Sequence, residues 1–336
     1  MIMATLKDVA RLASVDISTV SRALNGTSYV HPDTKARIMK AVEELSYRPN
    51  VLAQGLRKGK RHTIAIIVPT LHLTIFDDLA QEIEAAARAR GYSSLLCHTM
   101  DDPKNERECL RRLRSGFVDG MIIAATGKNT HLLRDIHADG IAMIQIVRRQ
   151  DHTISSVVGD YERGSYETVN YLYRKGCRAI GLINGPMLKT PYKARYNGYR
   201  RAVEDLGLEE ICTREDQRDG VTNSFEYGYS CTEELLDLHP DLDAIMAAVD
   251  IQGMAALKAL RDRGISVPEQ MRVVSLTGYS IGNYLETTMT SQELPARQMA
   301  EKAVEMLIEE IEAKPDKKPG IQNLIFSSSL MERESG

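Results

Sequence analysis

The sequence has no tryptophan and only four phenylalanines in 336 residues. Aromatic side chains make up 5% of it, so any core rests on aliphatic packing. Cysteine is scarce as well. Cys97, Cys109, Cys177, Cys212 and Cys231 are odd in number and widely spaced, with no C-x-x-C pair and no histidine cluster beside them. That pattern argues against a disulfide framework or a metal site, and for reduced thiols that fill core or surface in a cytoplasmic protein. No apolar run approaches the ~20 residues of a membrane span. Lys7, Asp8 and Arg11 stand where a secretory signal would be apolar. Catalytic signatures are missing too: there is no G-x-G-x-x-G, P-loop, H-E-x-x-H or G-x-S-x-G. His72 and His98 are isolated and read as loop or core residues. The expectation is a cytoplasmic protein that is not an enzyme and needs no cofactor, metal or membrane.

What is present is an ordinary globular composition, with 43% hydrophobic and 26% charged residues. The net charge of -3 hides an asymmetry. Residues 1–61 carry eleven lysines and arginines against five acids, net +6, while the other 32 basic and 41 acidic residues give net -9. A small basic head on an acidic body suits a polyanion-binding module attached to something with another task. Chance basicity of a short N-terminal segment is the plainer alternative.

Residues 5–46 read as three short helices. Thr5 can cap the first, with Asp8 three residues on, and Leu6, Val9, Ala10 and Ala13 form its apolar stripe. Ser14-Val15-Asp16 breaks the pattern. Asp16 can cap a second helix, which Asn25-Gly26 stops. A third begins at Pro32 and is expected to bury Ala36, Ile38, Ala41, Val42 and Leu45. A linker then runs to about Arg61. From Thr63 short apolar strands alternate with amphipathic helices. Strands are expected at 63–68, 93–97, 119–124, 141–147, 155–159, 179–183, 244–249 and 271–276. Helices are expected at 76–90, 104–115, 129–138, 161–175, 192–206, 224–238, 250–263 and 295–313. Such alternation predicts parallel sheets covered on both faces, and about 275 residues exceed one comfortable core, so two similar lobes are expected.

Residues 5–26, TLKDVARLASVDISTVSRALNG, fit a helix-turn-helix. Its second helix lies in the major groove while the first crosses the backbone. Ala10 is small where the helices meet, Val15, Val20 and Leu24 form the inner face, and Ser18, Thr19, Ser21 and Arg22 point outward. Arg22 is the foremost base reader, because arginine pairs bidentately with guanine. Ser18 and Ile17 sit at the helix start, where Ile17 suits a thymine methyl. Thr5, Thr19, Ser21, Asn25 and Thr34 are natural phosphate ligands. A purely structural helical hairpin is the competing reading.

The segments T-L-K-D-V-A, T-V-S-R-A-L-N, T-K-A-R-I, L-S-Y-R-P-N and A-Q-G-L-R, in this order, resemble the LacI/GalR repressor family. The resemblance extends over the whole chain. It implies that residues 50–58 fold into a hinge helix on operator DNA and enter the minor groove as a pair. Leu56 matches the family's wedge leucine and Ala53 a neighbouring groove contact, and Leu6, Asn50, Gln54 and Arg57 complete the implied DNA set. An apolar wedge unstacks a base step and kinks the duplex, and a segment that folds on binding is readily switched. Gly55 weakens that helix by ~1 kcal/mol relative to alanine. Relatives usually carry glycine at Ser14, so strain in the turn is expected, and often serine at Asp16.

The same resemblance implies a two-lobed, periplasmic-binding-protein-like body with a ligand between the lobes. Implied effector residues are Leu71, Phe76, Asp160, Tyr192, Arg195, Asn223, Asp250 and Ser280. Asn223, Ser280 and Val249 depart from common family residues, which argues against a lactose- or purine-like effector. Asp160 and Asp250 each precede an expected helix and read equally as caps. Arg195 also has a plain reading as a surface charge.

The resulting expectation is a helix-turn-helix domain at 1–48, a hinge at 49–61 and a ligand domain at 62–336. Its first lobe is expected at about 62–160 and 291–320, its second at about 161–290 and 321–336. The implied function is a homodimeric repressor of a carbohydrate operon. It would bind double-stranded pseudopalindromic operator DNA and respond to a sugar or glycoside, with similarity to sucrose and glycoside repressors. A regulator driven by a phosphoprotein partner or a non-sugar corepressor is the alternative, and a sugar-binding transport protein a more distant one. The C-terminus carries no leucine heptads, so dimers are expected.

Overall fold

The structure, a computed structural model, describes residues 4–26, 28–47, 61–213, 224–278 and 280–336. Chain contacts divide it into two units, Met1–Arg61 and His62–Gly336.

Among its described residues the first unit holds three helices: α1 (Leu6–Leu12), α2 (Ile17–Asn25) and α3 (Pro32–Glu44). Thr5 and Asp8 cap α1 reciprocally. The Asp8 amide donates to Thr5 Oγ1 at 3.3 Å, and the Thr5 amide to Asp8 Oδ2 at 2.9 Å. Asp16 stands at the N-cap of α2 but accepts no capping bond through its side chain, contrary to expectation. Gly26, at φ 63°, ends α2 in the left-handed conformation that a missing Cβ permits. Val9, Val20 and Ile38 are fully buried, with Ala10, Ala13, Ala23 and Ala41 between them. Ala36 is exposed rather than buried. It lies two residues before Ile38, about 200° around the helix and on the far side from the inner face. The turn between α1 and α2 does carry the expected strain: Ser14 adopts φ 52°.

The second unit contains two six-stranded sheets. Strands β1 (Thr63–Val68), β2 (Ser93–His98), β3 (Gly120–Ile123), β4 (Ala142–Ile146) and β5 (Ser156–Gly159) join β11 (Asn323–Phe326) in the order β11-β5-β4-β3-β1-β2. All these pairings are parallel. Strands β6 (Ile180–Ile183), β7 (Ile211–Cys212), β8 (Ala244–Ala247), β9 (Arg272–Ser275) and β10 (Thr290–Glu293) join β12 (Ser329–Met331) in the order β12-β10-β9-β8-β6-β7. Here only β12 runs antiparallel.

Strand alternation sends side chains to both faces, and helices cover each face. In the first sheet Ile64, Ile66 and Val68 face α4 (Thr74–Ala89) and α11 (Ala296–Glu312). Ala65 and Ile67 face α5 (Pro103–Arg114) and α6 (Thr130–Ala138). In the second, Ile180 and Leu182 pack with α7 (Tyr161–Arg174) and α8 (Thr190–Leu206), while Ile183 packs with α9 (Phe225–Leu238) and α10 (Asp250–Asp262). Gly198 of α8 lies so close to α7 that a Cβ there would come within 2.0 Å of the Glu162 carbonyl oxygen. This close approach seats α8 and the arginine it carries.

The chain crosses between sheets three times, after β5, after β10 and after β11. Two of these crossings differ from the sequence expectation. Residues 291–293 belong to the second lobe through β10, and β11 returns residues 323–326 to the first. The reason is physical. β10 reads TSQE, and its Thr290, Ser291 and Gln292 are buried although polar, so no apolar pattern marks it as a strand.

The left-handed Ser14 gives a first test. A non-glycine residue there costs about 1 kcal/mol. Ser14→Gly is therefore expected to stabilise the three-helix unit by about 1 kcal/mol, read as slower amide exchange at Val20 in the full chain. Unchanged or faster exchange would contradict strain at this turn.

Candidate nucleic-acid interface and ligand cleft

At 100° per residue, positions 17, 18, 21, 22 and 25 of α2 fall within about 140° of arc, away from the buried Val20 and Ala23. Ile17 is 43% exposed and Ser18, Arg22 and Asn25 are exposed, with Ser21 half-buried among them. An apolar group, two hydroxyls, an amide and a guanidinium thus share one solvent face. The Asn25 side-chain amide donates to the Ser21 carbonyl at 2.8 Å, which leaves its Oδ1 outward. Thr19 and Thr34 are half-buried and Thr5 is exposed at the start of α1. Leu6 packs partly against the three-helix core. Asn50, Ala53, Gln54, Leu56 and Arg57, and with them the expected hinge, lie outside the described residues.

In the second unit, the carboxyl ends of β1, β2, β4, β6, β8 and β9 converge on the cleft between the lobes, the usual ligand position in open parallel sheets. The cleft is nearly shut, with a cavity of about 30 Å³. Phe76, Val147, Arg148, Tyr192, Arg195 and Thr277 are among its walls. Of the expected ligand residues, Phe76, Tyr192 and Arg195 are brought together here. Arg195 is 4% exposed, donates to Thr277 Oγ1, and lies over the Tyr161 ring at 4.8 Å. It is not a surface charge. Burial pushes the Tyr192 hydroxyl up to about 12, so it stays protonated and can donate.

Other expected residues are placed differently. Leu71 is 42% exposed and borders a separate surface groove with Asp77, Gln81 and Ser94. Asp160 accepts the Arg163 amide at 3.2 Å and caps α7, as its alternative reading held. Asp250 is 1% exposed and is the first residue of α10, with Val249 in the cap position. It accepts from Thr74 Oγ1 of the opposite lobe and from the Ile251 amide at 2.9 Å, and burial raises its pKa. Ser280 opens a short 3-10 turn, Ser280–Asn283. Asn223 lies outside the described residues.

Sequence reasoning missed Asp101, Arg148, Lys189 and Thr277. Arg148 sits two residues past the end of the buried β4, at the carboxyl edge where ligands bind, and that signal was available. Its Nη1 meets Asp101 Oδ1 at 2.7 Å and its Nη2 meets Oδ2 at 3.2 Å, while Lys189 reaches Oδ2 from the other lobe. Burial pushes the Asp101 pKa up, but Arg148 and Lys189 outweigh it and hold the carboxyl below its usual value. Burial and the neighbouring Arg148 lower the Lys189 pKa.

A depressed carboxyl pKa stabilises the fold above the unfolded value and loses that effect as pH falls through the folded one. Wild type is therefore expected to exceed Asp101→Asn in stability at neutral pH, and the gap to close in acid, once Asp101 is protonated in both states. Urea unfolding at several pH values reads this, and a gap that stays constant into acid would contradict the assignment.

Residues 5–50 match the family described as bacterial regulatory proteins, lacI family. Residues 61–333 match periplasmic binding proteins and the sugar-binding domain of the LacI family. A ribose operon repressor from Halalkalibacterium halodurans is 30% identical over 315 residues, 93% of this chain and 92% of that protein. The HTH-type transcriptional regulator RegA of Clostridium saccharobutylicum is 31% identical over 336 residues, 99% of each. Among solved structures, the transcriptional regulator CelR–cellobiose complex shares 27% identity with a TM-score of 0.74, covering 99% of this chain and all (100%) of that one. A lac repressor dimer bound to operator shares the fold at 22% identity and a TM-score of 0.84, covering 99% and 98%. With both parts of its length matched, the chain belongs to the LacI family, DNA-binding transcriptional regulators rather than enzymes.

Proposed function

We propose that this protein is a cytoplasmic, homodimeric repressor that binds a pseudopalindromic operator and is controlled by a sugar-type effector held between the lobes of its second unit. The observation that carries the reading is the exposed edge of α2. Ile17, Ser18 and Arg22 are turned to solvent on one face, while Val20 and Ala23 of the same helix hold the core. That is the arrangement a recognition helix needs to read base edges. In a dimer two such helices meet half-sites about 34–36 Å apart. A self-association face is available on the first lobe. β2 is an edge strand, hydrogen-bonded on one side only, with Leu95 and Leu96 more than 40% exposed.

The carbohydrate assignment draws on relatives named for ribose and for a cellobiose complex. Repressors named PurR also resemble this chain, at 29% identity for that of Aliivibrio salmonicida, and represent the alternative of a non-sugar corepressor. Residues 49–61 act in this proposal as the hinge, with Leu56 as a minor-groove wedge. Ligand in the cleft changes lobe closure and thereby operator affinity, and operator changes ligand affinity by the same factor.

Arg22→Ala is expected to cost roughly 1–3 kcal/mol of specific binding and to relax preference at one base pair of each half-site. Binding measured on a set of single-base operator variants reads both effects, and an unchanged preference would remove Arg22 from base reading. Leu56→Ala is expected to weaken specific binding and reduce the operator bend, measured by energy transfer between duplex ends. A bend of wild-type size would refute the wedge.

A further inference from the structure

The cleft contains an ion cluster that a neutral sugar does not require. Asp101 follows β2 and Arg148 follows β4, both on the first lobe, while Lys189 immediately precedes α8 on the second. The three side chains are only 12%, 3% and 15% exposed. Two cations therefore share one carboxylate in a dry site. Arg195 adds a third buried cation to the same cavity. Asp250, beside the cleft, is engaged by Thr74 and by its own helix start, and burial favours its neutral form. Buried charge left in excess is unfavourable, and an incoming anion relieves it.

The backbone points the same way. Met100 and Asp101 adopt φ 56° and 54°, and Val147, a β-branched residue, φ 64°. The Arg148 amide donates to the Ile146 carbonyl at 2.6 Å, closing a tight γ-turn around Val147. Tyr161 donates from its hydroxyl to the Val147 carbonyl at 3.0 Å and braces that turn. Conformations of this kind are costly and persist where the surroundings over-determine them, commonly at ligand sites. Each strained turn here delivers one member of the ion cluster into the cleft.

We propose that the effector is a sugar acid whose carboxylate takes the place of the Asp101 side chain between Arg148 and Lys189, with its ring beside Phe76 and Tyr192. Asp101 is then an internal stand-in for the ligand. Its carboxylate is already gripped by both guanidinium nitrogens of Arg148, a planar two-bond geometry that a sugar carboxylate reproduces and a hydroxyl does not. Lys189 reaches the same carboxylate from the opposite lobe, so exchanging the protein's anion for the ligand's alters the tie between lobes. The inference rests on the cleft being the effector site.

The test uses the full-length protein and thermal shift at matched ionic strength. D-glucuronate and D-galacturonate are compared with D-glucose and D-galactose, and with glucose 6-phosphate. At least one acid is expected to raise the melting temperature at a concentration where its neutral counterpart does not. Arg148→Gln is expected to weaken the stabilising acid at least tenfold, and Asp101→Asn, which removes the competing carboxylate, to tighten it. Lys189→Met, altered on the other lobe, is expected to weaken it too and serves if Arg148→Gln fails to fold. A neutral sugar that stabilises as well as its acid, stabilisation by the phosphate ester alone, or acid binding unchanged in the variants overturns the proposal. In the first case the ligand-controlled repressor stands and only the ligand's charge is wrong. No shift with any of them overturns the sugar-acid proposal and leaves the operator-binding reading to its own test.

Discussion

A parallel strand hydrogen-bonds evenly along both edges and is stable only when helices cover both faces of its sheet. Much of the second unit follows from that requirement. The runs IAIIV of β1 and IGLI of β6 carry no polar side chain and are buried throughout because neither face meets water. Most strands are followed by a helix that carries the chain back to the amino end of its sheet, which sets the spacing of the chain. Roughly 275 residues cannot share one such core, so two sheets form and the chain passes between them three times. Most crossovers are βαβ units, while β4–β5 and β9–β10 are joined without an α-helix among the described residues, and the irregular turns collect at the carboxyl ends. The cleft is a consequence of how the sheets are buried.

What fills the cleft is then decided by residues that the fold does not need. Phe76 and Tyr192 belong to the core and merely reach its edge. Arg148, Lys189, Arg195 and Asp101 are different, since nothing about covering a sheet asks for buried charge. They meet across the lobes and take their positions partly from left-handed backbone at Asp101 and Val147. Contacts of this kind are suited to a switch. A closed cleft held by an ion pair can be re-tied by a ligand carrying the same charge, and the change is transmitted only because the lobes are rigid. The basic head with its exposed α2 face supplies the output, and the family to which the chain belongs joins these two functions.

The strands and helices with strong apolar periodicity were legible to within a residue or two, from β1 to α11, because burial dictates their composition. The three-helix head was legible through its caps and turn, including strain at Ser14. The short strands were not. β7 has two residues, β10 is polar although buried, and β12 pairs antiparallel at an edge, so no pattern of alternation survives in them. Of the residues expected at the cleft, Phe76, Tyr192 and Arg195 line it. It also named Leu71, which faces a different groove, and Asp160, which caps a helix. Asp101 and Lys189 are 88 residues apart in the chain and meet only through the closure of two lobes. Local spacing carries no trace of such a pairing.

The central claim is that the basic head reads a specific duplex as one half of a symmetric assembly. Selection of bound sequences from a random pool of duplex DNA by the full-length protein tests it most directly. The account predicts enrichment of a pseudopalindrome whose half-sites are centred about one helical turn or a multiple apart, 34–36 Å per turn. Recovery of a single unrepeated site, or of no sequence at all, would contradict it.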